Sequence, residues 1–291
     1  MSARDAVRIV EVSPRDGLQN EPRPVSTADK VRLVDLLSRA GLPEIEVASF
    51  VSPERVPQMA DGAAVLAGIV RRPGIRYSAL APNLRGFEAA RAAGADAVSI
   101  FASASQGFSQ ANIGCSVAES LQRFRPVAEA ARAAGVPLRG YVSCVTDCPY
   151  DGPVAPAAVA RVAVALAELG CAEVLLGDTI GRGTPQAIRA MLAAVLADLP
   201  ASRLAGHFHD TGGHALANVE ASLDLGLRAF DGSVGGLGGC PFAPGAAGNV
   251  DTVALHRRLV ELGFDTGLDP AALERAAAFA RTLRSGREAA A

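Results

Sequence analysis

Two of the four histidines stand two residues apart, as His207-Phe208-His209. Alternate residues of an extended strand share a face, so this spacing can present two imidazoles to one metal ion. A lone histidine in an apolar run is more often a packed core residue, and the pairing weakens that alternative without removing it. Near the start of the chain, Arg15 and Asp16 follow an apolar run. Adjacent opposite charges usually form a surface ion pair of little worth. At a strand end the same pair can supply a carboxylate ligand and a permanent cation for developing enolate charge, with Glu46 on a neighbouring strand holding the guanidinium by a bidentate pair. Asn249 closes the glycine-rich run 235–249, which cannot be regular structure. It is either a cap for the next helix or an amide-oxygen ligand. Two nitrogens and two oxygens, with positions left for substrate, suit Mg2+ or Mn2+, with Zn2+ or Co2+ as other occupants. Cys240 lies in the same run, where a closing loop would carry its thiol to the site. Cys115, Cys144, Cys148 and Cys171 read as packing residues.

Such residues need elements to bring them together. Short apolar or β-branched runs alternate with longer Ala, Leu and Arg segments of helical period throughout, which is the pattern of βα units around a parallel sheet. Eight strands are expected, at Val7–Ser13, Glu44–Phe50, Arg76–Ala81, Ala97–Ala102, Pro137–Cys144, Ala172–Asp178, Arg203–His209 and Arg228–Val234. Ser26 with Asp29 three residues later starts a helix over Ala28–Ala40, and Pro156 opens another over Pro156–Leu169. Gly41, Gly94, Gly135, Gly170 and Gly226 fall where left-handed helix caps are wanted. The expectation is a TIM (β/α)8 barrel with an additional C-terminal helix, Pro270–Leu283, in a single catalytic domain spanning 1–291. A doubly wound open sheet uses the same units. Eight strands, and Pro14-Arg15-Asp16-Gly17 in place of a phosphate-cradling glycine loop after the first, favour the barrel. Reactive side chains then come from the C-terminal strand ends, where Asp178 also sits.

Composition removes several classes of function. With 28 basic and 30 acidic residues scattered over 291 positions, the net charge of -2 offers no footprint for nucleic acid. Apolar stretches are far shorter than the roughly 20 residues that cross a bilayer, and the N-terminal residues lack the pattern of a targeting leader, so a cytoplasmic location is expected. Five cysteines argue for reduced thiols rather than a disulfide framework. Lys30 is the one lysine, within a helix, which leaves little basis for a Schiff-base mechanism.

The segments VEVSPRDGLQNE, IEVASFVSPERVPQMAD, APNLRGFEAA, RGYVSC with CPYDG, LGDTIGRGTP, GHFHDTGGHALAN and GSVGGLGGCPFAPGAAGN together resemble the 3-hydroxy-3-methylglutaryl-CoA lyase family. That family lies within a barrel group of metallolyases named for an Asp, Arg and Glu signature. Isopropylmalate and homocitrate synthases share the Arg-Asp-Gly corner, but the cysteine loop and SFVSPERVPQMAD point to the lyase, and one extra helix leaves no space for the synthases' regulatory domain. The resemblance implies metal ligands at Asp16, His207, His209 and Asn249, with Mg2+ or Mn2+ as cofactor. It implies that Arg15, oriented by Glu46, stabilises an acetyl-CoA enolate. Asp178 or His207 would take the hydroxyl proton, Cys240 would protonate the enolate carbon, and Gln19 would touch an acyl-CoA substrate. The implied reaction is retro-Claisen cleavage to acetoacetate and acetyl-CoA by a homodimer. Gly213, Gln106 and Leu175 depart from the family pattern, which raises a longer-branched substrate such as 3-hydroxy-3-isohexenylglutaryl-CoA as an alternative.

Overall fold

A computed structural model describes residues 5–238 and 248–284. Eight parallel strands, β1 (Arg8–Glu11), β2 (Glu44–Ser49), β3 (Arg76–Leu80), β4 (Ala97–Ser103), β5 (Leu138–Ser143), β8 (Glu173–Asp178), β9 (Leu204–Phe208) and β10 (Ala229–Gly232), close into a barrel in sequence order. Between β5 and β8 lies a short antiparallel pair, β6 (Asp147–Cys148) and β7 (Gly152–Pro153). Each expected strand is present, and most are a residue or two shorter at their ends.

Helices α1 (Thr27–Leu37), α2 (Gly62–Gly68), α3 (Leu84–Ala92), α4 (Gln106–Ile113), α5 (Val117–Ala134), α6 (Pro156–Leu169), α7 (Pro185–Leu196), α8 (Ala215–Leu223) and α9 (Thr252–Glu261) ring the barrel, and α10 (Pro270–Leu283) is the additional C-terminal helix. Ser26 caps α1 by accepting from the Asp29 N–H. All five glycines expected at left-handed positions have positive φ. No helix among the described residues is long and apolar enough to cross a membrane.

The apolar core fills the layer between the strands' outer faces and the helices. A second, smaller cluster of Tyr141, Leu175, Ala205 and Ala229, with Phe101, occupies the barrel interior. The residues that alternate with these on the inward faces are charged: Glu44, Glu46, Arg139, Glu173 and Asp231. Ionic side chains therefore fill much of the space that branched apolar residues usually fill.

Two additions at the C-terminal ends of the strands shape what lies above this interior. The segment after β4 forms two helices, α4 and α5, with Ser105 capping the first and a Ser116–Glu119 capping box starting the second. The β6–β7 pair follows β5. Phe108 and Ile113 from α4, and Tyr150 from the β6–β7 turn, face the cavity described next.

Candidate active site

The cavity opens at the C-terminal ends of the barrel strands and has a volume of about 870 Å3. Arg15, Asp16, Gln19, Tyr141, His207 and His209 line its floor, and Leu80, Phe101 and Phe108 contribute apolar wall. Pockets of this size with a few convergent polar groups suit small-molecule chemistry.

Arg15 and Asp16 reach it because β1 ends in a tight π-helical turn, Ser13–Gly17, where the N–H groups of Arg15, Asp16 and Gly17 all donate to the Val12 carbonyl. Such turns tend to occur at functional sites. A Cβ on Gly17 would lie 2.8 Å from Ser233 Oγ and 2.9 Å from Leu237 Cβ, so the turn accepts no side chain there. Arg15 is only 5% exposed, which excludes the surface ion pair. Its Nε and Nη2 both bind Glu46 Oε2, at 2.6 and 2.5 Å, and Nη1 binds Asp16 Oδ1 at 2.5 Å. Glu46 thus holds the guanidinium with one oxygen rather than as a two-oxygen pair, and its Oε1 has no hydrogen-bond partner among the described residues.

On β9 the predicted alternation holds. Phe208 turns outward against Phe230, while the His207 and His209 rings lie 5.4 Å apart beside Asp16. Ligand atoms of Asp16, His207 and His209 fall within 4.8 Å of one another. His209 Nδ1 is buried without a hydrogen-bond partner among the described residues, which a packed core histidine seldom tolerates. One carboxylate and two imidazoles, one of them with that orphaned nitrogen, fit a divalent cation. Electrostatics agree. Burial opposes ionisation of Asp16, but Arg15 and the two histidines overcome it and hold the carboxyl well below its usual range. Burial, with His207 adding to it, pushes His209 down to about 4, leaving a neutral imidazole near neutral pH.

Asn249 joins this cluster through backbone pairing: an antiparallel bridge sets it opposite His209, and Val250 N–H donates to the Phe208 carbonyl at 3.0 Å. Its Nδ2 donates to Asp16 Oδ2 at 2.7 Å, so it touches the cluster with nitrogen, not with the expected oxygen. The capping alternative fails, because Asp251 caps α9. Cys240 lies outside the described residues.

Asp178 is placed differently from expectation. Leu175 and Gly177 set the inward parity of β8, so Asp178 faces away; Thr146 donates to its Oδ1 at 2.9 Å and Gly183 N–H to its Oδ2 at 2.8 Å. It is buried, not a cavity-lining residue, and burial raises its pKa. The three departures from the family pattern also lie off the cavity wall. Leu175 packs in the barrel interior, Gln106 accepts from the Val117 N–H at 3.0 Å between α4 and α5, and Gly213 turns the chain before α8 with a φ of 73°.

Several residues that matter here have no role predicted from the sequence. His207 Nδ1 is 3.0 Å from Asp231 Oδ2, and the same oxygen accepts from the Tyr141 hydroxyl at 3.0 Å. Burial alone would raise Asp231, but Arg139 and His207 hold it below the ordinary carboxylate range. Tyr141 also stacks edge-on to His207 and lies beneath the Arg15 guanidinium, 5.6 Å from ring centre to Cζ. Inward parity on β5, where Arg139, Tyr141 and Ser143 alternate, is the signal that could have singled them out.

The fold and site define the class first: a (β/α)8-barrel enzyme with a carboxylate and two imidazoles, suited to a divalent cation, at the C-terminal strand ends. A family model described as HMGL-like matches residues 6–280. The chain is 59% identical over 273 residues to the 3-hydroxy-3-isohexenylglutaryl-CoA/hydroxy-methylglutaryl-CoA lyase of Pseudomonas aeruginosa, covering 94% of this chain and 91% of that protein. An HMG-CoA lyase structure from Brucella melitensis superposes with a TM-score of 0.96 at 60% identity, over 97% of this chain and all of the other. An HMG-CoA lyase from Acinetobacter baumannii, solved with coenzyme A and 3-methylmalate, superposes with a TM-score of 0.91 at 36% identity, over 99% and 97% of the two chains. This chain belongs to the HMGL-like family.

Proposed function

We propose that this protein is a carbon–carbon lyase that cleaves 3-hydroxy-3-methylglutaryl-CoA to acetoacetate and acetyl-CoA. The observation that carries the reading is the Asp16, His207 and His209 cluster next to the buried Arg15–Glu46 pair, on the floor of one cavity. Cleavage takes the hydroxyl proton, a role assigned to Asp178 or His207 on family resemblance. It breaks the bond between the thioester's α-carbon and the hydroxyl-bearing carbon, which becomes the ketone of acetoacetate, and the electron pair of the broken bond is delocalised onto the thioester oxygen. A permanent cation that is already desolvated and held in place stabilises that developing charge without reorganising. Arg15 meets both conditions, since Glu46 fixes it and the cavity exposes one side of it.

Asp16, His207 and His209 would hold a divalent cation, Mg2+ or Mn2+, which when bound acidifies the substrate hydroxyl and orients its oxygens. Asn249 joins the ligand set if its amide turns over, because amide nitrogen and oxygen are nearly isosteric. Gln19 is assigned a contact with the acyl-CoA substrate, a role supported by its place on the cavity floor. Cys240, which falls between β10 and α9 in the sequence and outside the described residues, is assigned delivery of the proton to the enolate carbon on family resemblance. The same reading takes one catalytic domain, a homodimer and a cytoplasmic setting.

The longer-branched substrate is not favoured, because the residues that suggested it do not line the cavity. The test is acetoacetate release from 3-hydroxy-3-methylglutaryl-CoA by purified protein with Mg2+, with the isohexenyl ester assayed in parallel. Turnover should require the metal and disappear with EDTA. Failure to release acetoacetate in any metal would overturn the reading, and a higher kcat/KM for the isohexenyl ester would overturn its substrate.

A further inference from the structure

Asp231 is a buried carboxylate at the C-terminal end of β10, and its side-chain partners among the described residues, Arg139, Tyr141 and His207, are buried too. Arg139 Nη2 donates to Oδ1 at 3.2 Å, and the Tyr141 hydroxyl donates to Oδ2 at 3.0 Å. The third contact is His207 Nδ1, 3.0 Å from Oδ2. A carboxylate flanked by a guanidinium has only lone pairs to offer. Nδ1 must therefore carry the proton in that contact. In a neutral imidazole this leaves the lone pair on Nε2, the nitrogen that faces Asp16, with Oδ2 at 4.0 Å.

We propose that Asp231, anchored by Arg139 and Tyr141, is a positioning residue that fixes the tautomer and ring angle of His207 so that Nε2 is presented to the divalent cation. The inference rests on the metal reading above and deepens it. Partners of this kind behind a ligating histidine commonly set metal affinity by about 10- to 100-fold. The geometry also says how Asp231 can be perturbed. In Asp231→Asn one carbonyl oxygen remains, and the Arg139 cation claims it. The amide NH2 then faces Tyr141 and His207, so Nδ1 has to accept and the ring proton moves to Nε2, the nitrogen wanted for the metal.

The test uses full-length protein. With only four histidines, 15N-histidine labelling resolves each ring, and His207→Gln assigns the His207 signals by their loss. In metal-free wild type, at a pH where the ring is neutral, His207 should show the Nδ1–H tautomer. An Nε2–H tautomer there overturns the proposal without any variant having to fold. Asp231→Asn should show Nε2–H and bind Mn2+ about 10- to 100-fold more weakly by calorimetry. Wild-type Mn2+ affinity in Asp231→Asn, alongside lost binding in His209→Ala, overturns this inference alone. Wild-type affinity in His209→Ala as well overturns the metal reading with it.

Discussion

Glu11 is an acid at the end of β1 with no exposure to solvent, off the cavity and paired with no cation among the described residues. Its Oε1 accepts from the Ser13 and Val234 N–H groups, each at 3.0 Å, and its Oε2 lies 2.7 Å from Thr252 Oγ1. Burial pushes its pKa from an ordinary 4.5 up to about 7, against the pull of those donors. The protonated form fits the same geometry, because the Thr252 hydroxyl can rotate to accept from the acid. The sign follows from linkage. Below pH 4.5 folded and unfolded chains are both protonated at this site; above it the unfolded chain ionises first, so stability falls as pH rises towards 7. A rise from 4.5 to about 7, at 1.36 kcal/mol per unit, amounts to a loss on the order of 3 kcal/mol. Glu11→Gln keeps the carbonyl for Ser13 and Val234 and faces an amide to Thr252, but it cannot ionise. Urea unfolding of both proteins in EDTA, at half-unit steps from pH 4 to pH 8, should show the variant gaining roughly 3 kcal/mol on wild type across the window. A difference between the two that stays flat with pH refutes the argument.

Three further perturbations address the site. Arg15→Lys retains the charge but cannot bridge Glu46 and Asp16 as the forked guanidinium does, and steady-state assays should find kcat lower by about 100- to 1000-fold with a smaller change in KM. Asp178→Asn should lower unfolding stability by about 1–3 kcal/mol, through the lost acceptor for Thr146 or Gly183, while Mn2+ affinity in calorimetry stays at the wild-type value. Leu175→Ser should destabilise by at least about 2 kcal/mol and leave the ratio of kcat/KM for methyl- and isohexenyl-branched esters unchanged, because its side chain packs against Tyr141, Ala205 and Ala229 inside the barrel.

Whatever depended on local period was legible in the sequence. Eight strands, the alternation that pairs His207 with His209, and the Arg15-Asp16-Gly17 corner each follow from residues within a few positions of one another. Face assignment at strand ends was harder. Asp178 looks reactive by position, yet one residue of parity turns it from the cavity to the β8–α7 connection, where Gly183 receives it. Partners separated by most of the barrel were not legible at all. Arg139 meets Asp231 across 92 residues and Thr252 meets Glu11 across 241, and these distances become short only when β1 and β10 close the sheet. The bridge between His209 and Asn249 is of the same kind, since it depends on a segment folding back over the end of β9.

Those closure-dependent contacts explain why the barrel interior is ionic. Burying paired charges seldom stabilises a fold better than apolar residues of equal volume, so Arg139, Glu44, Glu173 and Asp231 contribute little as packing. Their value lies in what they hold. Arg8 and Arg139 pair with Glu173, Arg76 and Arg139 with Glu44, and Arg139 with Asp231, while Arg15 pairs with Glu46 and Asp16. Tyr141 stands between the two halves, with its hydroxyl 3.0 Å from Asp231 and 3.5 Å from Glu46. Four arginines thus face five carboxylates, which leaves one negative charge when both histidines are neutral. A divalent cation turns that balance to one positive charge, the sign that favours an anionic acyl chain entering a low-dielectric cavity. Removing the carboxylate of Glu46 would free Arg15 to swing, and removing that of Asp231 would free the His207 ring. The charged interior is therefore the support of the site above it, and its stability cost is the reason the two positions cannot be read as ordinary core.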